Sequence, residues 1–420
     1  MPCHNIIVAL FFTQALLTPV QATPPELSQI TTNTNVAAAG TDVGTARHLT
    51  HWMPTVENLN QAQQKQLAAI YQSMLHSDYV AAEQKLAQLY TEAPAVLPLW
   101  VSLLTELQQF EKIRQLVNTG VIAADHYSAM IAALYQHHSE PQLDFQHQSG
   151  QIKLESHWLV ALPRVKVILN GQPYYFVLDT GASQSLITDR VAQEAKLAWD
   201  AKTQVSIDTA TDNKVKASLA VLPNFQLGPV EAKNQAALVV DRAELEQQIF
   251  GFHWYQIDGI IGWPLLKQLD LTFDFDNQQL EIRKPSSSDK VPQGNLVWLF
   301  DDPMVITNRD EQPRLWFLDT GAGNSVVTED YLTPAQRQNM AWETKEFGGL
   351  GGEGATERVG ELENIRIAFP SLATHLAQIT VRADHADCVH SRCDGRLGVD
   401  VAAKRRMHIN FQQATFDITK

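Results

Sequence analysis

Two segments of this 420-residue chain are built alike, each around the four residues Asp-Thr-Gly-Ala. The first segment spans residues 174–188 and the second spans residues 314–328. In both, an apolar run precedes the aspartate, and a serine, two aliphatic residues and a threonine follow it. A given tripeptide occurs by chance only about 0.1 times in a chain of this length. The repeat therefore indicates an internal duplication.

The similarity extends well beyond these segments. Asp-Gly-Ile-Ile-Gly, starting at Asp258, aligns with Asp-Gly-Arg-Leu-Gly, starting at Asp394. The separation between Asp179 and Asp319 is nearly the same as the separation between Asp258 and Asp394. We therefore expect two lobes of one fold whose intervening segments differ only slightly in length.

Strand signals dominate the duplicated part of the chain. Residues 162–169 alternate between apolar and polar side chains, and Asn170-Gly171 is a strong hairpin signal before a second strand at 174–178. Residues 285–292 are rich in Pro and Ser and indicate a linker. The sequence predicts a mainly β protein with one lobe at 150–284 and the other at 293–420.

Residues 56–140 have a different character and predict a small α-helical domain. Apolar residues recur there at helical spacing, first at Leu67, Ile70 and Tyr71 and then at Ala82, Leu86 and Leu89. Their spacing resembles the helix-turn-helix unit of tetratricopeptide repeats, about 34 residues long. Three roles remain open for this domain: a prosegment, a docking surface for a protein partner, or a structural part packed against the rest of the chain.

The N-terminus is typical of a secretory leader. An apolar stretch at 6–17 precedes Val20-Gln21-Ala22, which suits signal peptidase, so we expect a leader at 1–22 and a flexible tether at 23–55. The leader lacks Lys and Arg, which keeps an uncleaved anchor as the alternative. No later segment is long and apolar enough to span a bilayer. The protein is expected in the bacterial periplasm or secreted.

Cysteine usage is consistent with export. Removal of the leader would take Cys3 with it and leave Cys388 and Cys393, which in an oxidising compartment most simply form a disulfide. His385 and His390 nearby make a compact metal site an alternative, and free thiols are a third. The net charge of −14 argues against a nucleic acid or an anionic membrane surface as partner, because both require basic patches.

Two aspartates from homologous lobes can hydrolyse an amide without a metal or a covalent intermediate. One ionised Asp takes a proton from water while its protonated partner donates to the carbonyl oxygen. The pair shares one proton when the carboxylates lie too close for both to ionise. Asp179 and Asp319 are the candidates. Supporting roles are expected for the threonines and glycines that follow them: Thr180, Gly181, Thr320 and Gly321.

The repeated motif and the Asp-Gly-x-aliphatic-Gly elements resemble the retropepsin-like aspartic proteases in a single-chain, two-lobed form. The resemblance covers about residues 155–420 and implies a bilobal β fold with a peptide-binding cleft and an Asp179/Asp319 dyad. It implies a peptide or protein substrate, no metal and no cofactor. Because one chain carries both half-sites, a monomer is expected.

The same resemblance implies a hairpin flap between the two motif elements of each lobe. The expected flap residues lie in a glycine-rich turn of the second lobe and a polar turn of the first: Gly348, Gly349, Gly351, Gly352, Asp208 and Thr209. The two turns start equally far along the chain from their respective aspartates. The glycine-rich turn suits a mobile flap better.

The second lobe departs from the family pattern at two positions. Arg396 stands where an aliphatic residue is usual, either pairing with Asp394 or Asp400 or lowering the pKa of the dyad. Gly323 replaces the Ser183 of the first lobe and removes a possible hydroxyl partner for one carboxylate. An alternative function is a catalytically silent peptide-binding or docking protein that uses the same fold.

Overall fold

The structure is a computed structural model of the chain. It describes residues 52–53, 56–155, 162–208, 214–245, 247–249, 252–286, 294–309, 312–349, 352–383, 388 and 392–420. The predicted leader and nearly all of the predicted tether and linker lie outside these ranges.

The N-terminal part of the described chain is helical, as predicted. Its apolar residues at helical spacing, such as Ile70, Tyr71 and Leu86, are fully buried. Helix α1 begins with a capping box in which Asn60 and Gln63 satisfy each other's backbone N–H groups. The helices are α1 (Gln61–Leu75), α2 (Tyr79–Glu92), α3 (Leu97–Glu106), α4 (Phe110–Asn118) and α5 (Tyr127–His137), with a 3₁₀ turn at Pro94–Val96. Their likeness to tetratricopeptide repeats stays a prediction.

The first lobe is a curved β-sheet that follows these helices. Asn170 and Gly171 both have positive φ, 51° and 78°, which is the tight-turn geometry that Asn-Gly favours between two strands. The strands are β1 (Gln142–Phe145), β2 (Ser149–Lys153), β3 (Arg164–Leu169), β4 (Gln172–Leu178), β5 (Leu186–Thr188), β6 (Trp199–Asp208), β7 (Lys214–Leu227), β8 (Val230–Val240), β9 (Gln247–Ile249), β10 (Phe252–Tyr255) and β11 (Gly259–Ile261). Short helices lie at α6 (Asp189–Glu194), α7 (Arg242–Leu245) and α8 (Trp263–Leu266).

Eight of these strands form one sheet in the order β1-β8-β5-β11-β4-β3-β7-β6. An additional β7–β8 pairing brings distant strands of that order together, which gives the sheet a barrel-like form. Strands β9 and β10 pair separately. The lobe's sheet begins at Gln142, before the predicted boundary at residue 150.

The second lobe repeats this topology. Its eight strands run in the order β14-β15-β16-β21-β17-β20-β19-β18, and an additional β15–β19 pairing curves the sheet. These eight strands are β14 (Leu296–Leu299), β15 (Asp302–Arg309), β16 (Gln312–Leu318), β17 (Val326–Thr328), β18 (Glu343–Gly349), β19 (Gly352–Ala368), β20 (Ala373–Arg382) and β21 (Gly395–Leu397). Strands β12 (Asp270–Asp274) and β13 (Gln279–Arg283) precede them in the chain. Helix α9 (Pro334–Asn339) and 3₁₀ turns at Glu329–Tyr331 and Val399–Ala402 lie between strands.

A third sheet joins the two lobes. Strands β22 (Arg406–Asn410) and β23 (Thr415–Thr419) of the second lobe continue an antiparallel sheet begun by the first, in the order β2-β13-β12-β22-β23. Phe273 pairs with Met407 across the boundary, and both are fully buried. The predicted mainly β, bilobal fold with N-terminal helices is confirmed.

The helices pack against both lobes. The Tyr79 ring stacks on Trp298 of the second lobe at 3.6 Å between centroids, and the Tyr79 hydroxyl accepts from the Trp298 N–H at 3.0 Å. Glu106 forms a buried ion pair with Lys267 of the first lobe at 2.7 Å and accepts from Trp263 Nε1 at 2.7 Å. Burial raises the pKa of Glu106, and Lys267 opposes that shift. Helices and lobes therefore share one buried core.

Cys388 and Cys393 form a disulfide, with Cα atoms 6.1 Å apart. This confirms the disulfide interpretation over the metal-site and free-thiol alternatives. Helices long and apolar enough to cross a bilayer are absent from the part of the chain that the structure describes.

Candidate active site

Each motif aspartate follows a strand and is held by the short strand beside it. In the first lobe β11 lies parallel to β4, and the Asp179 N–H donates to the Ile261 carbonyl at 3.0 Å. In the second lobe β21 lies parallel to β16, and the Asp319 N–H donates to the Leu397 carbonyl at 3.0 Å. The last residues of β4 and β16, directly before each aspartate, are buried. Packing of these residues holds both aspartates in place.

The two threonines that follow the aspartates bond to each other's loops. The Thr180 N–H donates to Thr320 Oγ1 at 3.0 Å, and the Thr320 N–H donates to Thr180 Oγ1 at the same distance. Each hydroxyl then donates across the lobe boundary, Thr180 to the Leu318 carbonyl at 2.6 Å and Thr320 to the Leu178 carbonyl at 2.7 Å. Four buried hydrogen bonds thus fix the two loops against each other.

The motif needs a glycine in each lobe, because a side chain at either position would collide with the aspartate of the other lobe. A Cβ atom added to Gly321 would lie 2.3 Å from Asp179 Cγ, and one added to Gly181 would lie 2.9 Å from Asp319 Cγ. Each glycine therefore faces the carboxylate of the opposite lobe, which shows that the two aspartates and two glycines meet at one point.

The aspartate pair, Asp179 with Asp319, lies inside the protein: the two residues are 0% and 2% exposed. Burial and then the negative charge of Asp319 raise the pKa of Asp179 well above its ordinary value, although the Gly181 N–H, at 2.8 Å from Asp179 Oδ1, opposes the shift. The pair therefore keeps a proton to a higher pH than an isolated aspartate does.

A serine in each lobe ties the aspartate loop to the neighbouring strand. Ser185 Oγ accepts from the Gly262 N–H at 3.1 Å, and Ser325 Oγ accepts from the Gly398 N–H at 3.0 Å. A Cβ atom on Gly262 would approach the Gln184 carbonyl oxygen to 2.6 Å, so the backbones pass too closely for a side chain.

Asp258 aligns with Asp394 in the sequence, but the alignment predicts no role for either residue. Asp258 Oδ2 accepts from the Tyr175 N–H, and Asp394 Oδ2 accepts from the Leu315 N–H, both at 2.8 Å. Each buried carboxylate thereby fixes the strand that carries the motif aspartate. An arginine partners each one, Arg190 for Asp258 and Arg314 for Asp394. The recurrence of Asp-Gly in both lobes was the available signal, but the arginines come from unrelated positions.

Arg396 lies beside the aspartate pair. Its Nε is 3.7 Å from Asp319 Oδ2, and both residues are buried. Asp394, one partner considered from the sequence, pairs with Arg314. Asp400 accepts from the Ser325 hydroxyl at 2.6 Å and the Ser325 N–H at 2.9 Å; burial raises its pKa, which those bonds and the charge of Arg396 oppose.

The predicted flap residues lie at the ends of two hairpins. Gly349 pairs with Gly352 at the tip of β18–β19, with Gly348 opposite Glu353, and Gly351 lies outside the described residues. In the first lobe Asp208 pairs with Lys214 at the end of β6–β7, and Thr209 lies outside the described residues. Both predicted hairpins form. Their role as flaps stays a prediction.

The sequence of the first lobe matches a known family. A family model described as aspartyl protease matches residues 165–265, which include Asp179 and the Asp258 element. Residues 165–265 are therefore similar to aspartyl protease domains. The match confirms the predicted resemblance to aspartic proteases.

A solved structure, the crystal structure of a retropepsin-like aspartic protease from Rickettsia conorii, is similar to part of this chain. It is 19% identical, the match covers 35% of this chain and 97% of that chain, and the TM-score is 0.24. The comparison with curated protein sequences found no match.

We predict that Thr320→Val destabilises the protein and that Thr320→Ser does so far less. Valine keeps the shape of threonine but leaves the Thr180 N–H and the Leu178 carbonyl without the bonds that the Thr320 hydroxyl makes inside the protein. Each unpaired buried group costs about 1–3 kcal/mol. Serine keeps the hydroxyl. Urea unfolding of the two variants checks this, and equal free energies of unfolding would contradict it.

Proposed function

We propose that this chain is an aspartic endopeptidase that uses Asp179 and Asp319 as its catalytic dyad. The observation that carries the proposal is the meeting of two homologous aspartates at the lobe boundary, each facing the glycine of the opposite motif. The reciprocal threonine bonds support it, because catalysis requires both carboxylates to be held in a fixed relative position.

In the proposed reaction the dyad holds one proton and binds one water. The ionised aspartate removes a proton from water, and the water oxygen forms a bond to the peptide carbonyl carbon. The protonated aspartate gives its proton to the carbonyl oxygen, which produces a neutral diol. The diol then collapses: one hydroxyl returns its proton to the ionised aspartate, the C–N bond breaks, and the amine leaves with the proton of the other aspartate. The dyad again holds one proton. The products are a carboxylic acid and an amine.

Cleavage of a denatured protein tests the proposal. Wild type is incubated with the substrate across the acid to neutral range, alone, with a statine-type inhibitor and with a chelator. We expect cleavage that the statine compound blocks and the chelator leaves unchanged. The double variant Asp179→Asn/Asp319→Asn, purified in the same way, is the control for a contaminating protease.

Cleavage that only the chelator stops would overturn the dyad. Saturable peptide binding without any cleavage would instead favour the silent peptide-binding alternative.

We further propose that the protein works in the bacterial periplasm or outside the cell. The Cys388–Cys393 disulfide supports this, because disulfides persist mainly in oxidising compartments. Fractionation of cells that express the full chain tests it: we expect the protein outside the cytoplasm, and a cytoplasmic protein would contradict the proposal.

A further inference from the structure

The two halves of the active site differ in charge. When Asp258 is aligned with Asp394, Ile260 and Pro264 of the first lobe occupy the positions of Arg396 and Asp400 in the second. Ile260 is fully buried in an apolar cluster with Val177 and Leu186. The second lobe therefore carries a buried cation and a partly buried acid at positions where the first lobe carries apolar side chains.

The charge of Arg396 lies close to one aspartate of the pair. Arg396 is on β21, between Phe317 of β16 and Val326 of β17, both apolar cross-strand neighbours. Its Nε is 3.7 Å from Asp319 Oδ2, and it is 3% exposed, so water screens this charge little. Asp179 instead receives the Gly181 N–H at 2.8 Å.

We propose that Arg396 makes Asp319 the ionised member of the dyad and leaves the shared proton on Asp179. This rests on the proposed function above. Asp319 is then the general base that removes the proton from water, and Asp179 is the general acid that protonates the carbonyl oxygen. Arg396 is a positioning residue, because it acts through Asp319.

Physical arguments for both aspartates agree with this assignment. A positive charge within about 4–6 Å favours the ionised form of a carboxyl group. Once Asp319 is ionised, its negative charge disfavours a second one on Asp179, whose pKa burial and Asp319 both raise. The pair titrates as a unit, so Arg396 lowers the pH at which its first proton leaves.

Asp400 is a second charged group placed against Arg396 in the described part of the chain. Both of its oxygens accept bonds from Ser325, which fixes the carboxylate beside the arginine. An ionised Asp400 partly offsets the arginine charge felt by Asp319. Burial raises the pKa of Asp400, so this carboxylate takes up a proton as the solution becomes acidic. Arg396 then stabilises the ionised form of Asp319 more strongly.

The pH dependence of kcat/KM tests the proposal, because it reports the acid and base of the free enzyme. Arg396→Gln removes the charge, and we expect the acid limb of the profile to rise by about 1–3 pH units. Arg396→Lys keeps a positive charge and is expected to hold the acid limb near that of wild type. Arg283→Gln, at an exposed arginine of β13, is the matched control and should leave the profile unchanged.

A second neutral variant guards against misfolding. Arg396→Gln leaves the partly buried Asp400 without its neighbouring cation, whereas Arg396→Gln/Asp400→Asn removes both charges together. We expect the acid limb to shift upward by less than in Arg396→Gln, because the double variant also removes the negative charge of Asp400. A folded neutral variant with an unshifted acid limb, or a lysine variant that shifts as far as the glutamine variant, would overturn the role of Arg396.

Assays of Asp179→Asn and Asp319→Asn beside the arginine variants separate this inference from the proposed function. If Asp319→Asn abolishes cleavage while the arginine variants keep the wild-type profile, the dyad stands and the role of Arg396 fails. If both single aspartate variants cleave normally, the proposed function itself fails.

Discussion

Asp179→Asn and Asp319→Asn are each expected to lower kcat/KM by about 10²–10⁴-fold, because each removes one partner of a shared-proton pair. Asparagine has nearly the same shape and can neither take nor release the proton. The double variant should be little worse than either single variant, since the residues of a catalytic unit do not contribute additively. Steady-state cleavage of a fluorogenic peptide measures all three.

Asp144→Asn is the matched control for the dyad variants. Asp144 lies on β1, is half-exposed, and pairs with Lys233 at 2.8 Å. The same chemical change at this surface site should leave kcat/KM unchanged. A single dyad variant with wild-type activity would show that its aspartate takes no part in the reaction.

The Asp179→Asn variant is also expected to gain stability near neutral pH. The pKa of folded Asp179 is raised by burial and by Asp319 above its ordinary value of 3.8. As the pH rises from 3.8 towards the raised pKa, the unfolded chain releases the proton first, so wild type loses stability. Asparagine has no proton to lose. The Tm of the variant should exceed that of wild type near neutral pH and match it in strong acid, and the reverse order would contradict the buried-pair geometry.

Trp263→Ala is expected to destabilise the protein by about 3–5 kcal/mol, the range for truncating a fully buried tryptophan. Trp263 packs edge-on against Phe411 of the second lobe at 4.2 Å between ring centroids, and its Nε1 donates to Glu106 of α3. It also directly follows the segment that anchors Asp179, and the Trp263 N–H donates to the Ala182 carbonyl at 2.8 Å. One side chain thus joins the helices to both lobes.

Two spectroscopic probes of unfolding test whether the helical domain is a structural part of the protein or a detachable domain. If helices and lobes share a core, far-UV circular dichroism and tryptophan fluorescence should report one coincident transition that Trp263→Ala moves as a whole. Trp342→Ala is the control: this partly buried tryptophan packs at the edge of the core beside Arg358, and its loss should destabilise the protein less than the loss of Trp263. A separate helical transition whose midpoint Trp263→Ala leaves unchanged would favour a detachable prosegment or docking domain over a structural part.

The sequence predicted those parts of the site that are encoded locally and twice. The two Asp-Thr-Gly loops and the Asn170-Gly171 turn follow from short patterns, and the hairpins at β6–β7 and β18–β19 were implied by the family resemblance. Turn residues, glycines and alternating strands act within a few residues, and the duplication made their common purpose recognisable. The Cys388–Cys393 disulfide was predictable for the same reason, since its partners are close in the chain.

The partners of Arg396 could not be decided in this way. From the sequence Asp394, Asp400 and the dyad were all candidates, and Asp394 is the nearest in the chain. In the folded protein Asp394 fixes the strand that carries Asp319 and pairs with Arg314, which is distant in the sequence. Residues two apart in a strand lie on the same face, but a shared face does not decide which charges pair, because a residue distant in the sequence can lie closer in the fold.

The sequence by itself determined the duplication, the two aspartates and the mainly β, two-lobed fold, because periodicity and repeated motifs act along the chain. Only the tertiary structure decided that the two threonine loops interlock, that Glu106 reaches Lys267, and that Arg396 lies against Asp319. These contacts join residues brought together by packing, and burial is what gives their charges strength. Arg396, which the sequence shows as a departure of the second lobe, thereby makes the surroundings of Asp319 different from those of Asp179.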